Sequence, residues 1–169
     1  MTAPSRFREL LQEEGAMAMP VVHDALCARI AERCGFQAVF AAGYANSAAL
    51  LGMPDVGLLT MTEMVESARR ISGAVDLPVI ADGDTGYGNV TNVMRTVRCF
   101  EDAGVAGVLL EDQVFPKRCG HMSGKRVVPE QEMLARLRAA LDARDDPDFL
   151  IIARTDALDT HHFHMFRDH

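Results

Sequence analysis

The sequence predicts an α/β fold of the (β/α)8 TIM-barrel type, with about the first five βα units present. Short apolar runs alternate with longer helical patterns along most of the 169 residues. The apolar runs are continuous, which is typical of strands that helices cover on both faces of a parallel sheet. Polar residues follow these runs directly, where barrel enzymes carry their active sites.

An open doubly wound sheet is the alternative arrangement for this order of elements. That fold would favour a glycine-rich phosphate loop after its first strand, and the sequence contains neither a GxGxxG nor a Walker pattern. The run GDTGYG at 83–88 has the wrong spacing and is too acidic to hold phosphate without a metal. Barrel-type units are therefore favoured.

The first two units begin with strands predicted at 17–23 and 37–42. An alanine-rich helix at 25–34 lies between them, and Gly35 ends it as a C-cap. The second strand leads into 43–60, a glycine-bearing connection whose length is typical of a functional loop.

The third strand lies between two helices whose N-terminal caps are visible in the sequence. The run TMTE at 60–63 has the spacing of a capping box and predicts a helix at 62–75. A strand is predicted at 77–81, and Asn89 caps the next helix, which continues through Ala103.

The last two units follow the same alternation. Strands are predicted at 105–110 and 149–153, and Pro129 suits the first turn of the helix between them. The apolar stripe of that helix consists of Met133, Leu137, Ala140 and Leu141.

The charge balance narrows the classes of partner. The chain has 17 basic and 24 acidic residues and a net charge of −7. Nucleic acids and anionic membranes both require a basic face, so we expect neither as a partner. No apolar run reaches the roughly 18 residues of a membrane span, and residues 1–15 are charged rather than signal-like, which predicts a cytoplasmic protein.

Carboxylates follow most of the predicted strands and would meet at one rim. An isolated acid after a strand is commonly a helix N-cap, and that alternative stays open for Asp24 and Asp156. Asp82, Asp84 and Glu111 form a denser group. Crowded carboxylates repel one another unless a cation compensates, and hard oxygen ligands suit Mg²⁺ or Mn²⁺. We therefore predict a divalent-metal site.

The segment 117–126 is a second signal, with four cationic residues, a cysteine, a histidine and two glycines. A solvated basic loop is the alternative interpretation. Over an acidic rim, however, cationic neighbours would favour the thiolate of Cys119, and a mobile loop could bring that thiol to a substrate as an acid or base. The other cysteines (Cys27, Cys34 and Cys99) stand among apolar residues and are expected to be small buried hydrophobes.

Several motifs occur in an order that resembles one enzyme superfamily. They are VIADGDTGYGN at 79–89, LEDQ at 110–113, KRCGH at 117–121 and IARTD at 152–156, preceded by LGMPDVG at 51–57 and TMTEM at 60–64. Together they resemble the isocitrate lyase/phosphoenolpyruvate mutase superfamily over about residues 5–157. The nearest likeness is to its methylisocitrate lyase-like branch, which includes 2,3-dimethylmalate lyase and carboxyphosphonoenolpyruvate phosphonomutase.

The resemblance implies a Mg²⁺ site, with Mn²⁺ as the alternative metal. Asp84 would be the direct ligand. Asp82, Glu111 and Asp55 would hold the waters of the metal ion. A bound Mg²⁺ would act as a Lewis acid toward the hydroxyl and carboxylate of a 2-hydroxy acid.

The resemblance also implies roles in substrate binding and proton transfer. Tyr44, Asn46 and Gly120 would face the substrate, and Arg154 would pair with a substrate carboxylate. Cys119 would exchange a proton with the carbanion carbon, on a loop that carries Lys117 and His121 as further catalytic residues. The implied reaction cleaves a 2-hydroxy di- or tricarboxylic acid into an α-keto acid and a dicarboxylate. The implied partners are a small carboxylic-acid substrate and further copies of the chain in a homo-oligomer.

The sequence also departs from the family pattern. Ala45 and Asn46 follow the Gly-Tyr pair where a small residue or glycine is common. The family barrel has eight strands, so we expect 1–159 to be the N-terminal part of a barrel and 160–169 to be a tail unlike the family. Two alternative activities within the superfamily stay open, a carboxyphosphonoenolpyruvate phosphonomutase and an oxaloacetate-cleaving hydrolase. A non-catalytic truncated fragment is the alternative of another class.

Overall fold

The computed structural model describes residues 1–160 and contains one sheet of five parallel strands. The strands are β1 (Val21–Val22), β2 (Val39–Ala41), β3 (Val79–Asp82), β4 (Gly107–Glu111) and β5 (Leu150–Arg154). Each strand pairs with the next one along the chain, in the order β1-β2-β3-β4-β5. This sequential order is that of a (β/α)8 barrel, whereas a doubly wound sheet reverses its strand order part-way.

Seven helices accompany the strands within the described residues. They are α1 (Ala3–Leu10), α2 (Ala25–Arg33), α3 (Gly43–Leu51), α4 (Met61–Ser72), α5 (Val90–Asp102), α6 (Glu130–Ala143) and α7 (Ala157–Thr160). The predicted capping box of α4 is confirmed, because the Thr60 hydroxyl accepts from the Glu63 amide and the Glu63 carboxylate accepts from the Thr60 amide. Asn89 caps α5 in the same reciprocal manner with Asn92.

The two faces of the sheet pack against different layers. Val39, Val79 and Ala81 belong to the main core, which α2, α4, α5 and α6 cover. Ile80 and Phe40 alternate with these residues along the strands and therefore point to the opposite face. They pack there in a smaller cluster around Phe7 of α1. The central strand β3 is buried along its whole length, as predicted, while the outer strands β1 and β5 are partly exposed.

The structure corrects the predicted elements at several points. Helix α1 was not predicted, and it buries Phe7 in a cluster with Ala38, Ile80 and Ala106. The connection at 43–60 contains α3, which starts as soon as β2 ends. Pro129 is the N-cap of α6 rather than part of its first turn. Leu141 is 47% exposed and lies outside the apolar stripe.

None of the helices among residues 1–160 is long and apolar enough to cross a membrane. The tail predicted at 160–169 lies outside the described residues, apart from the backbone of Thr160.

Candidate active site

A cavity of about 660 Å³ opens at the carboxyl ends of the strands. Its walls come from strand ends and from the loop at 117–125. The predicted site residues that line it are Tyr44, Asp55, Asp82, Glu111, Lys117, Cys119, Gly120, His121 and Arg154. The parallel arrangement brings these residues together because every strand ends on the same side of the sheet.

Asp82 and Asp84 are fixed by the turn after β3. One Asp82 oxygen accepts from the Gly43 amide and the other from the Asp84 amide, both at 3.0 Å. A Cβ atom at Gly43 would lie 2.9 Å from Asp82 Oδ2, so the close approach requires a glycine. Asp84 itself has a φ of +50°, an uncommon conformation that recurs at functional turns.

Lys117 places a buried cation inside this group of acids. Its Nζ atom lies 2.6 Å from Asp55 Oδ2 and 2.6 Å from Asp84 Oδ1. Burial acts to lower the pKa of Lys117, but the charges of Asp84 and Asp82 outweigh it and raise that pKa above its usual value. We call Asp55, Asp82, Asp84 and Glu111 the acidic cluster; Lys117 is its nearest positive charge.

The acidic cluster holds more negative charge than its surroundings compensate. Burial, followed by repulsion from Asp82, raises the pKa of Asp84 to about 6. Burial raises the pKa of Glu111 to about 8, although Lys117 and Arg154 act to lower it. The Oε1 atom of Glu111 is buried without a hydrogen-bond partner among the described residues. An all-oxygen donor set with an unpaired carboxylate oxygen fits a hard divalent cation.

Tyr87 is a buried neighbour of the acidic cluster that sequence reasoning missed. Burial, followed by the charges of Asp84 and Asp82, raises the pKa of its phenol well above the usual value. Its φ of +60° continues the strained turn that contains Asp84. Tyr87 belongs to the motif at 79–89, but the motif did not indicate where the phenol points.

Arg154 lies at the end of β5 and links two acids. One of its terminal nitrogens (Nη1) is 3.3 Å from Glu111 Oε2, and the other (Nη2) donates to both oxygens of Asp156 at 3.0 Å. The hydrogen bonds from Arg154 and Gln113 overcome the effect of burial and lower the pKa of Asp156. Asp156 therefore anchors Arg154.

Two other acids that follow strands have structural roles. Asp24 is the N-cap of α2, with its Oδ1 accepting from the Cys27 amide at 2.7 Å. Asp112 accepts from the Thr155 hydroxyl and the Asp156 amide, which ties the end of β4 to the end of β5. The N-cap interpretation thus holds for Asp24.

The loop at 117–125 brings Cys119 to the cavity. The Cys119 amide donates to the Asp55 carbonyl at 2.9 Å. Gly120 follows, where any Cβ atom would collide with the guanidinium of Arg154. Cys119, His121 and Arg154 thus line one cavity with Glu111 of the acidic cluster.

The structure does not bring Asn46 to this cavity. Its side chain is 1% exposed, accepts from the Ser67 hydroxyl at 3.0 Å and donates to Met64 Sδ. It joins α3 to α4, so the prediction of a substrate contact at Asn46 is corrected to a packing role. Tyr44 does line the cavity and is exposed. Cys34 is exposed rather than buried.

Residues 7–167 match the family model described as phosphoenolpyruvate phosphomutase. The chain belongs to this family. The 2,3-dimethylmalate lyase of Eubacterium barkeri is 54% identical over 160 residues, which are 95% of this chain and 55% of that protein. The predicted superfamily and its methylisocitrate lyase-like branch are thereby confirmed.

Two solved structures of similar chains agree with the fold. An oxaloacetate acetylhydrolase bound to 3,3-difluorooxalacetate matches with a TM-score of 0.90 and 41% identity, over 94% of this chain and 55% of that one. A phosphonopyruvate hydrolase complex with oxalate and Mg²⁺ matches with a TM-score of 0.84 and 35% identity, over 94% and 54%. The chain spans about half the length of these relatives. The TIM-barrel type of the fold is confirmed, and its relatives are enzymes.

Proposed function

We propose that this chain carries the metal site and the proton donor of a Mg²⁺-dependent carbon–carbon lyase of the methylisocitrate lyase type. Its substrate is a 2-hydroxy di- or tricarboxylic acid, which is cleaved to an α-keto acid and a dicarboxylate. One observation carries the proposal: a single cavity is lined by three members of the acidic cluster, Asp55, Asp82 and Glu111, together with Arg154 and Cys119. The fourth member, Asp84, lies directly behind this lining, with its Oδ1 2.6 Å from Nζ of the cavity residue Lys117.

The acidic cluster would hold the metal ion, with Asp84 as the direct ligand and the other three acids around it. The unpaired Glu111 oxygen and the burial that raises the pKa values of Glu111 and Asp84 support this assignment, because a bound cation would stabilise these carboxylates in their charged form. When bound, Mg²⁺ supplies Lewis-acid stabilisation of negative charge on the substrate oxygens.

Arg154 would bind a carboxylate of the substrate. Its guanidinium offers several donors in a planar fork, and about a third of the side chain is exposed to the cavity. Asp156 holds it from behind, so it is oriented before a substrate arrives. Lys117 and His121 lie on the loop side of the same cavity.

Cys119 would be the proton donor to the reacting carbon. Cleavage breaks the bond between C2 and C3 and leaves its electron pair on C3, beside a carboxylate. The hydroxyl of C2 passes its proton to a carboxylate of the acidic cluster as C2 becomes the keto carbon, and the thiol of Cys119 donates a proton to C3. Proton transfer by a positioned group of this kind contributes about 10²–10⁴-fold to a rate.

A hydrolase that cleaves oxaloacetate is the second candidate. The oxaloacetate acetylhydrolase structure matches this chain with a TM-score of 0.90, and an oxaloacetate substrate would present the same keto-acid end to the acidic cluster. A carboxyphosphonoenolpyruvate phosphonomutase is the third, supported by a relative named as the corresponding phosphorylmutase.

The product formed separates these candidates. The protein is incubated with 2,3-dimethylmalate, 2-methylisocitrate, oxaloacetate or a carboxyphosphonate substrate, with Mg²⁺ or with a chelator. The proposal expects Mg²⁺-dependent release of an α-keto acid from one of the first two compounds. Oxalate from oxaloacetate supports the hydrolase, and formation of a carbon–phosphorus bond supports the mutase. Metal-independent cleavage contradicts all three.

A further inference from the structure

Gln113 makes a set of contacts that the proposed chemistry does not use. Its side chain is 1% exposed, two residues beyond Glu111. Its Oε1 accepts from the Arg118 amide at 3.0 Å, and its Nε2 donates to the Arg118 carbonyl at 2.9 Å. One side-chain amide therefore binds both backbone groups of a single loop residue.

The residue that Gln113 binds stands between two site residues. Arg118 follows Lys117 and precedes Cys119, so fixing its backbone fixes both neighbours. The start and end of the loop are also joined here, because Gln113 forms an isolated antiparallel bridge with Val127. The Val114 amide donates to the Arg126 carbonyl at 2.8 Å, which closes the base of the loop.

A third contact connects Gln113 to the end of β5. Its Nε2 also donates to Asp156 Oδ2 at 2.9 Å, and Asp156 is the acid that anchors Arg154. Lys125, at the far end of the loop, donates to the Gly120 carbonyl and to Asp156 Oδ1. The loop is thus fastened to Asp156 through its start and its end.

We propose that Gln113 is a positioning residue that holds the loop at 117–125 over the acidic cluster, through Arg118 on one side and Asp156 on the other. This inference rests on the proposed function for the role of Cys119, and it names the side chain that places that thiol. Only an amide can fill the position, since it must accept from an N–H and donate to two oxygens at once.

The substitution Gln113→Glu tests this requirement with almost no change in shape. A glutamate keeps the acceptor but loses both donors, and its charge would face the Arg118 carbonyl and the Asp156 carboxylate. Gln37→Glu makes the same chemical change at an exposed position and serves as the matched control. Circular dichroism establishes that each variant is folded.

Two measurements report how firmly the loop is held, and neither requires turnover or added metal. Hydrogen exchange measures the Arg118 amide, and mass spectrometry measures alkylation of each thiol by iodoacetamide. We expect Gln113→Glu to raise the exchange rate of Arg118 and the alkylation rate of Cys119 about tenfold, the order expected for lost buried hydrogen bonds. The rates at Cys27, Cys34 and Cys99 should stay unchanged, as should all rates in Gln37→Glu.

Unchanged rates at both Arg118 and Cys119 in a folded Gln113→Glu variant would overturn the proposal. An equal rise at all four thiols would also overturn it, because the effect would then be general loosening. If Gln113→Glu does not fold, hydrogen exchange of the wild-type chain tests the proposal instead. The Arg118 amide must exchange at least about tenfold more slowly than in an unstructured peptide, and exchange at the peptide rate refutes the role of Gln113. Since no readout uses catalysis, failure here is distinct from failure of the proposed lyase function.

Discussion

The ammonium of Lys117 and the carboxylate of Asp84 form a buried ion pair, with 2.6 Å between Nζ and Oδ1. Asp55 shares the same ammonium at 2.6 Å. The pair joins the loop that carries Cys119 to the turn after β3, so it links the proposed proton donor to the proposed metal site. Its removal should therefore affect both the stability of the chain and the charge of the acidic cluster.

Replacing Lys117 with methionine should destabilise the metal-free chain by about 3–5 kcal/mol at pH 8, because it leaves buried carboxylates without their cation. The loss should be smaller at pH 5, where Asp84 can take up a proton, since its pKa is raised to about 6. Urea unfolding at both pH values measures the difference. A change below about 0.5 kcal/mol at pH 8, the size of an ordinary surface substitution, would show that the ion pair contributes little.

Glu111 should make the stability of the metal-free chain depend on pH. In an unfolded chain it loses its proton near pH 4.5, whereas in the folded protein burial raises its pKa to about 8. Its stabilising contribution is complete below pH 4.5 and is lost as the pH rises through 8, because the folded state then has to bury a charge. Glu111→Gln should reduce this fall in the free energy of unfolding, measured in urea between pH 5 and pH 8.

The control for this pH prediction is Glu9→Gln, which removes an exposed carboxylate from α1. That variant should keep the wild-type dependence on pH. Identical pH profiles for Glu111→Gln and the wild type would contradict the assignment of the effect to Glu111.

Cys119→Ser should lower the turnover of the protein by about 10²–10⁴-fold, the contribution of a positioned acid or base. Binding of Mg²⁺ should be unaffected, because the proposed ligands are carboxylates. Cys27→Ser is the matched control, since Cys27 lies beside His23 and outside the cavity. Steady-state kinetics with the substrate that the product assay identifies provides the measurement. An equal loss in both variants would indicate a structural effect of the thiols.

The 169-residue chain, expressed by itself, should self-associate. Within residues 1–160, β1 and β5 each pair with one neighbouring strand, and Val21 of β1 is exposed. Open strand edges are templates for pairing between chains. Size-exclusion chromatography with light scattering reports the association. A chain that stays monomeric over the whole concentration range would contradict this prediction.

Local sequence signals predicted much of the fold. The strands were predicted in order along the chain because each one is a continuous apolar run. The caps at Thr60 and Asn89 depend on residues three positions away, so the pattern of residues reveals them as well. Helix α1 was missed because its stabilising contact, Phe7 against Ala38 and Ile80, joins distant parts of the chain. Helix α3 was missed because its small residues show no apolar stripe, and no side chain caps its N-terminus.

The candidate site was predictable where motif and strand end coincide. Asp82, Asp84 and Glu111 follow buried strands, so their convergence follows from the parallel sheet. The roles of Gln113 and Asn46 were not predictable, because each depends on which partner its amide meets. Asn46 meets Ser67 and Met64 of α4, whereas Gln113 meets the backbone of Arg118.

The decisive measurement for the proposed metal site is the binding of oxalate with and without Mg²⁺, followed by isothermal titration calorimetry. Oxalate resembles the keto-acid end of the proposed product, and a related hydrolase has been solved with oxalate and Mg²⁺. We predict that oxalate binds the chain when Mg²⁺ or Mn²⁺ is present and not when a chelator is added. Asp84→Asn should abolish this binding, while Asp76→Asn, at an exposed position, should leave it intact. Oxalate binding that is equally strong without a divalent cation, or unchanged in Asp84→Asn, would contradict the proposed metal site.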